Sequence, residues 1–241
     1  MQLSILTLFP EMFQGPFEAS IMKRAREQGL LTIELVNIRD YGIGKHKTVD
    51  DTAYGGGPGM VMRVDVLHRA LEETKAKYRS LRSYSILLSA DGTPFSQPKA
   101  IACSKFEHLI LVCGHYEGVD ERFGKYVDEK VSVGDFVVTG GEIPAMLIAD
   151  AVVRLKEGVL KKEATENESF SLPGSTRDTF LLEYPHYTFP RLYDGEVVPP
   201  VLLSGNHKAI NSWRLSEAEK KTKTIRPDLS PRSSHSKGSA E

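Results

Sequence analysis

The sequence predicts an α/β protein built on a parallel sheet, followed by a smaller, mainly helical C-terminal part. Two observations carry this expectation. "YSILLSA" and "HLILVCG" are short, continuous apolar runs, the pattern of strands buried on both faces of a parallel sheet. Strand-like runs also alternate with stretches of helical period, the order expected of βαβ units. The chain of 241 residues has room for one large domain with a small companion.

Each element has its own signal. "LSILTLF" and "LTIELVNI" read as strands, and the segment between them, from about Glu11, reads as a helix stopped near Gly29. A second helix runs from about Asp65 through "DVLHRALEETKAKY", with Val66, Leu67, Ala70, Leu71 and Thr74 on one face. The two apolar runs follow as strands. "EIPAMLIADAVVRLKEG" reads as a helix starting around Gly141, with Gly158 as its stop. From Val159 to Pro200, prolines at 173, 185, 190, 199 and 200 predict a long irregular connector. "NHKAINSWRLSEAEKKT" then reads as a helix of a second domain, and "PDLSPRSSHSKGSAE" as a disordered tail.

Composition excludes several classes. The start "MQLSILTLFPEMF" carries no basic leader, and there is no apolar run of the roughly 18 residues that span a membrane. The expected location is therefore the cytoplasm. Cys103 and Cys113 lack the paired spacing of a zinc or redox site, and the seven histidines form no HExxH-like pair. Buried thiols and no metal site are expected. Charge is uneven along a nearly neutral chain: eight Lys or Arg face four Asp or Glu from Val201 to Glu241, against seven and eleven from Ser83 to Leu160. That asymmetry suits either local contact with nucleic-acid phosphate or a solvated helix with a tail.

The chemistry concentrates in loops. "DDTAYGGGPGM", Asp50 to Met60, crowds four glycines around Pro58, the signature of a slack linker or of backbone that must approach something closely. Three further loops follow strand-like runs: Ser89 to Gly92, Cys113 to Gly118 and Val133 to Gly141. Ligands of open α/β sheets bind beyond the carboxyl ends of the strands, where such loops meet. Neither GxGxxG before a helix nor GxxxxGK[ST] is present, which weakens the dinucleotide and P-loop readings.

Four segments in order, "TVDDTAYGGGPGM", "LILVCGHYEGVDER", "SVGDFVVTGGEIPAM" and "YPHYTFP…VPPVLLSGNHKAI..WR", resemble the bacterial tRNA (guanine-N1)-methyltransferases of the TrmD type. The resemblance runs from Met1 to about Trp213. It implies a SPOUT-type sheet with a deep trefoil knot, a homodimer whose active sites draw on both subunits, and methylation of guanosine N1 at tRNA position 37. It implies a knotted methyltransferase domain at 1–160 that binds S-adenosyl-L-methionine, a connector at 161–184 and a small helical tRNA-binding domain at 185–226, with the tail at 227–241. No membrane and no stable protein partner are implied, and Mg²⁺ assistance is left open.

The family's cofactor contacts fall here on Leu88, Ser89, Gly114, Tyr116, Glu117, Val133, Gly134, Asp135, Phe136, Val137, Val138, Gly140, Gly141, Pro144 and Glu183. Its contacts to the target nucleotide fall on His46, Asp50, Tyr54, Gly59 and Met60, which favours close approach over a linker for the glycine cluster. Guanine N1 carries a proton, so transfer needs a base to remove it and a donor to stabilise charge spreading onto O6. The resemblance gives the second role to Arg154. For the base it places Glu168, in Glu168-Ser169-Phe170, where the family usually has Asp, and Asp178-Thr179-Phe180 repeats the triplet ten residues on. Glu168 is favoured by its distance from Arg154 along the chain, with Asp178 as the alternative. Phe189 stands where the family usually has Arg, so that either Arg191 replaces its charge or one phosphate contact is lost. The rival functions are a non-catalytic tRNA-binding relative and a SPOUT enzyme acting on a ribose 2′-hydroxyl.

Overall fold

The computed structural model describes residues 1–172 and 179–229. The chain divides into two compact units, Met1–Leu160 and a second beginning at Lys161.

The first unit is a parallel sheet covered on both faces. β1 (Gln2–Thr7) leads through α1 (Gln14–Phe17) and α2 (Ser20–Glu27) to β2 (Thr32–Asn37). The short hairpin of β3 (Asp50–Asp51) and β4 (Val61–Met62) precedes α3 (Val64–Lys77). β5 (Ser83–Pro94), α4 (Gln97–Cys103), β6 (His108–Cys113), β7 (Glu129–Ser132) and α5 (Glu142–Val153) complete it. The five long strands lie in the order β2-β1-β6-β5-β7, all parallel.

Strand alternation explains the two-sided core. Leu109, Leu111 and Cys113 of β6 pack with Leu3, Ile5 and α2, α4 and α5 on one face. Ile110 and Val112 pack with Leu6 and with Val66, Leu67, Ala70 and Leu71 of α3 on the other. The α3 face named from the sequence is therefore the buried face, Thr74 included. Both cysteines are buried thiols.

Three sequence expectations for this unit change. The helix from Glu11 to Gly29 is broken into a 3-10 turn, α1 and α2, because Pro16 cannot continue the hydrogen-bond ladder and Ser20 enters α2 with φ +51°. Ser89 to Gly92 is not a free loop: β5 runs on to Pro94, with its register to β7 shifted between Leu88 and Thr93. The helix from Gly141 ends at Val153, earlier than Gly158, which follows in a turn with φ +87°.

The second unit is built around α7 (His207–Ile225), capped by the Asn206 side chain accepting from the Ala209 N–H at 3.1 Å. Its small core joins Leu172, Leu181 and Ala218. The stretch expected to be irregular holds α6 (Lys162–Glu166) and a hairpin of β8 (Leu192–Tyr193) and β9 (Glu196–Val197) turned at Asp194-Gly195. Pro227–Leu229, expected in a disordered tail, form a 3-10 turn whose Leu229 carbonyl accepts from the Phe180 N–H at 3.0 Å. The rest of that tail, 230–241, lies outside the described residues.

Candidate active site

A half-open pocket lies where β6 and β7 end, beside the register shift within β5. Leu88 to Ala90 supply one wall, Gly114 to Val119 the second, Ser132 to Gly134 with Phe136 to Gly141 the third, and Pro144 of α5 closes it. Main chain builds much of this wall. Gly141 donates its N–H to the Gly114 carbonyl at 2.8 Å, and His115 and Gly140 form an isolated bridge beside it. A Cβ on Gly141 would lie 2.6 Å from Cys113 Cα, so only glycine permits this approach.

Of the residues expected to hold a cofactor, all but two line this pocket. Asp135 is exposed in the turn where Phe136 donates its N–H to the Gly134 carbonyl at 3.0 Å, and it is not part of the wall. Glu183 belongs to the second unit, where its carboxylate meets His186 Nε2 at 2.8 Å. Tyr116 takes φ +60°, a conformation uncommon for a residue with a bulky side chain and one that clusters at functional sites.

The glycine-rich loop is fastened to the same wall. The Glu117 N–H donates to the Met60 carbonyl at 3.0 Å, the Met62 N–H to Gly118 at 2.9 Å and the Asp120 N–H to Met62 at 3.0 Å. Gly59, at φ +79°, packs so closely on Glu117 that a Cβ would strike that side chain. Asp50 is half-buried in β3, paired with Met62. His46 is exposed in the turn bracketed by the Ile43–Thr48 bridge, and Tyr54 is fully exposed over a separate groove with Arg63, Asp120 and Arg122. Gly59 and Met60 thus touch the pocket's wall at Glu117 without lining the pocket, while His46 and Tyr54 stand apart from it.

Arg154 caps the C-terminal end of α5, half-buried, its N–H donating to the Asp150 carbonyl at 3.2 Å. Glu168 is half-buried in the second unit. Its triplet is stitched to the segment around Glu183: the Phe170 N–H donates to Leu181 at 2.8 Å, and Ser169 Oγ accepts from the Glu183 N–H at 3.0 Å. Asp178 lies outside the described residues.

Three residues of the site were not singled out from the sequence. His115 lines the pocket between the rings of Phe9 and Tyr116, with centroids at 5.0 and 5.1 Å. Glu142, only 2% exposed, accepts a 2.8 Å hydrogen bond from the Thr7 hydroxyl. A carboxylate opening an otherwise apolar helix is a signal for Glu142; a lone Thr inside an apolar strand gives none for Thr7. Burial pushes the Cys113 thiol well up, and the Glu142 charge adds to it, so this cysteine stays protonated. Among the described residues no cluster of three His, Cys, Asp or Glu could hold a metal ion, and no helix is long and apolar enough to cross a membrane.

Comparison with known proteins shows which family this sequence resembles. The model of the family described as tRNA (Guanine-1)-methyltransferase TrmD matches residues 1–232. The tRNA (guanine-N(1)-)-methyltransferase of Desulforudis audaxviator is 55% identical over 230 residues, 95% of this chain and 89% of the relative. The protein of that name from Metamycoplasma arthritidis is 50% identical over 229 residues, 95% of each chain. That of Bacillus pumilus is 50% identical over 231 residues, 95% of this chain and 91% of the relative. With its parallel α/β unit and a pocket at the strand ends, the chain belongs to the TrmD family of tRNA (guanine-N1)-methyltransferases.

Proposed function

We propose that this enzyme methylates N1 of the guanosine at tRNA position 37, beside the anticodon, with S-adenosyl-L-methionine as methyl donor. One observation carries the reading. Glu117 belongs both to the wall of the pocket and to the contact with Gly59 and Met60, so the expected donor site and the expected guanine site share one residue.

The pocket suits the donor. Its wall pairs apolar side chains, Leu88, Val133 and Val138, with glycine main chain at Gly114, Gly140 and Gly141. A flat heterocycle fits between such surfaces and takes hydrogen bonds from backbone groups, and the Glu117 carboxylate can meet an ammonium. When bound, the donor supplies an electrophilic methyl group.

The chain's own residues prepare the acceptor. Glu168 takes the N1 proton, with Asp178 as the alternative base, and Arg154 donates to O6 as negative charge spreads there. Gly59 and Met60 bring bare main chain to the guanine edge. Glu183 and Asp135 assist at the donor's polar end, and His46, Asp50 and Tyr54 hold the nucleotides around the target.

Further features of this reading are a deep trefoil knot and a homodimer with active sites built from both subunits. The chain path supports the knot: from β6 it reaches β7 at the far edge beyond β5, then returns so that Gly140 and Gly141 meet His115 and Gly114. The exposed apolar residues Phe136, Val137, Ile143 and Leu147 support the dimer, since surface of this kind marks interfaces. We place the enzyme in the cytoplasm, with residues 185–226 as the tRNA-gripping part.

Nucleoside mass spectrometry of tRNA incubated with enzyme and S-adenosyl-L-methionine tests the proposal. The expected product is 1-methylguanosine. A 2′-O-methylated nucleoside would reject it in favour of ribose chemistry, and tRNA retention without any methylated product would mark a binder.

A further inference from the structure

Three segments meet behind the pocket wall: Thr7 at the end of β1, His115 just after β6 and Glu142 at the start of α5. The Thr7 hydroxyl donates to Glu142 Oε1 at 2.8 Å and itself accepts from the Phe9 N–H at 2.9 Å. Glu142 Oε2 faces His115 Nδ1 at 3.8 Å. That nitrogen is buried and has no hydrogen-bond partner among the described residues. Gly140 closes the group, since a Cβ there would strike both His115 Nδ1 and Glu142 Oε2.

A carboxylate this deeply buried is costly unless every oxygen finds a partner. Oε1 has Thr7; the group offered to Oε2 is the imidazole. A ring shift of about 1 Å brings Nδ1 into hydrogen-bond range. A carboxylate beside one imidazole nitrogen keeps the proton on that nitrogen and locks the ring's orientation. The His115 ring in turn supports Tyr116, which lines the pocket with a left-handed backbone.

We propose that Glu142 is a positioning residue for the donor pocket: held by Thr7, its buried carboxylate accepts the Nδ1 proton of His115 and fixes the ring against which Tyr116 packs. This rests on the reading of the pocket as the methyl donor's. Glu142 touches neither substrate; it acts through His115 and Tyr116.

The test uses Glu142→Gln in the full chain. The amide oxygen can still accept from Thr7, but the charge that holds the imidazole is gone. Calorimetric affinity for S-adenosylhomocysteine is expected to fall about tenfold, the loss of one charge-assisted hydrogen bond. Nitrogen-15 shifts of the His115 ring should move from the Nδ1–H toward the Nε2–H tautomer, a change that loosened packing alone would not produce. Thr7→Val, which removes the hydroxyl but keeps the shape, should weaken binding in the same direction and decides the matter if Glu142→Gln does not fold. Wild-type affinity in the variants, or a shifted tautomer without weaker binding, overturns the proposal. If wild-type enzyme itself does not bind S-adenosylhomocysteine, the donor-pocket reading fails, and the tautomer measurement still tests the Glu142–His115 pair.

Discussion

Glu117 and Met60 are joined through their main chains, the N–H of the first donating to the carbonyl of the second at 3.0 Å. This bond pins a loop with four glycines to the pocket wall. On the proposed reading, donor and guanine then share an edge, as a transfer between them requires.

Gly59→Ala tests that junction. Gly59 sits at φ +79° with Glu117 where a Cβ would go, so alanine has both backbone strain and a clash to relieve. We expect unfolding free energy to drop by about 1–2 kcal/mol, from the left-handed conformation alone, and methyl transfer to fall far more than S-adenosylhomocysteine affinity. Urea denaturation and calorimetry on one preparation measure both. Equal losses of turnover and donor affinity would show that the loop serves the donor pocket rather than the guanine.

Glu168→Gln should abolish turnover while leaving donor binding nearly intact, and Asp178→Asn should be mild. Single-turnover methylation with calorimetry in parallel separates the two. The reverse pattern would transfer the role of base to Asp178.

Arg154→Ala should slow the chemical step by about 10²–10³-fold, the usual loss when one donor to a developing oxyanion is removed. Pre-steady-state methylation at saturating tRNA reads this step directly. A change confined to tRNA affinity would make Arg154 a phosphate contact instead.

Stability should depend on His108. Its ring is fully buried, with Nδ1 2.9 Å from Ser83 Oγ and Nε2 2.9 Å from Ser4 Oγ, and burial pushes its pKa down to about 4. The unfolded chain takes up this proton near pH 6.5 and the folded chain only near 4, so stability is full above 6.5 and declines as pH falls toward 4. The loss over that window is about 3 kcal/mol. Urea midpoints at pH 7 and 4.5 should converge in His108→Gln relative to wild type. An unchanged difference would mean the acid sensitivity lies in other groups.

Much of the first unit was legible because burial on both faces leaves a strong pattern. β5 and β6 announced themselves as apolar runs, and the α3 stripe was readable residue by residue. The break ahead of α1 was present in Pro16, which lacks the N–H a helix continuing from Glu11 would need, but was outweighed by the surrounding helical pattern. The β8–β9 hairpin was carried by Asp194-Gly195, a two-residue turn of the favoured kind, and was hidden by flanking strands only two residues long. The pocket's glycines were readable as close approach. What they approach was not: Thr7, His115 and Glu142 are far apart in sequence and carry no shared period, and only the fold brings them together.

The sheet order has a consequence for synthesis. β1 leaves the ribosome first, yet one of its neighbours is β6, about a hundred residues later, and Thr7 finds Glu142 later still. A nascent chain halted before α5 would hold the β1–β2 pair with the pocket's back wall missing. Competence to hold a ligand therefore arrives late and all at once, when the last helix of the unit closes on its first strand.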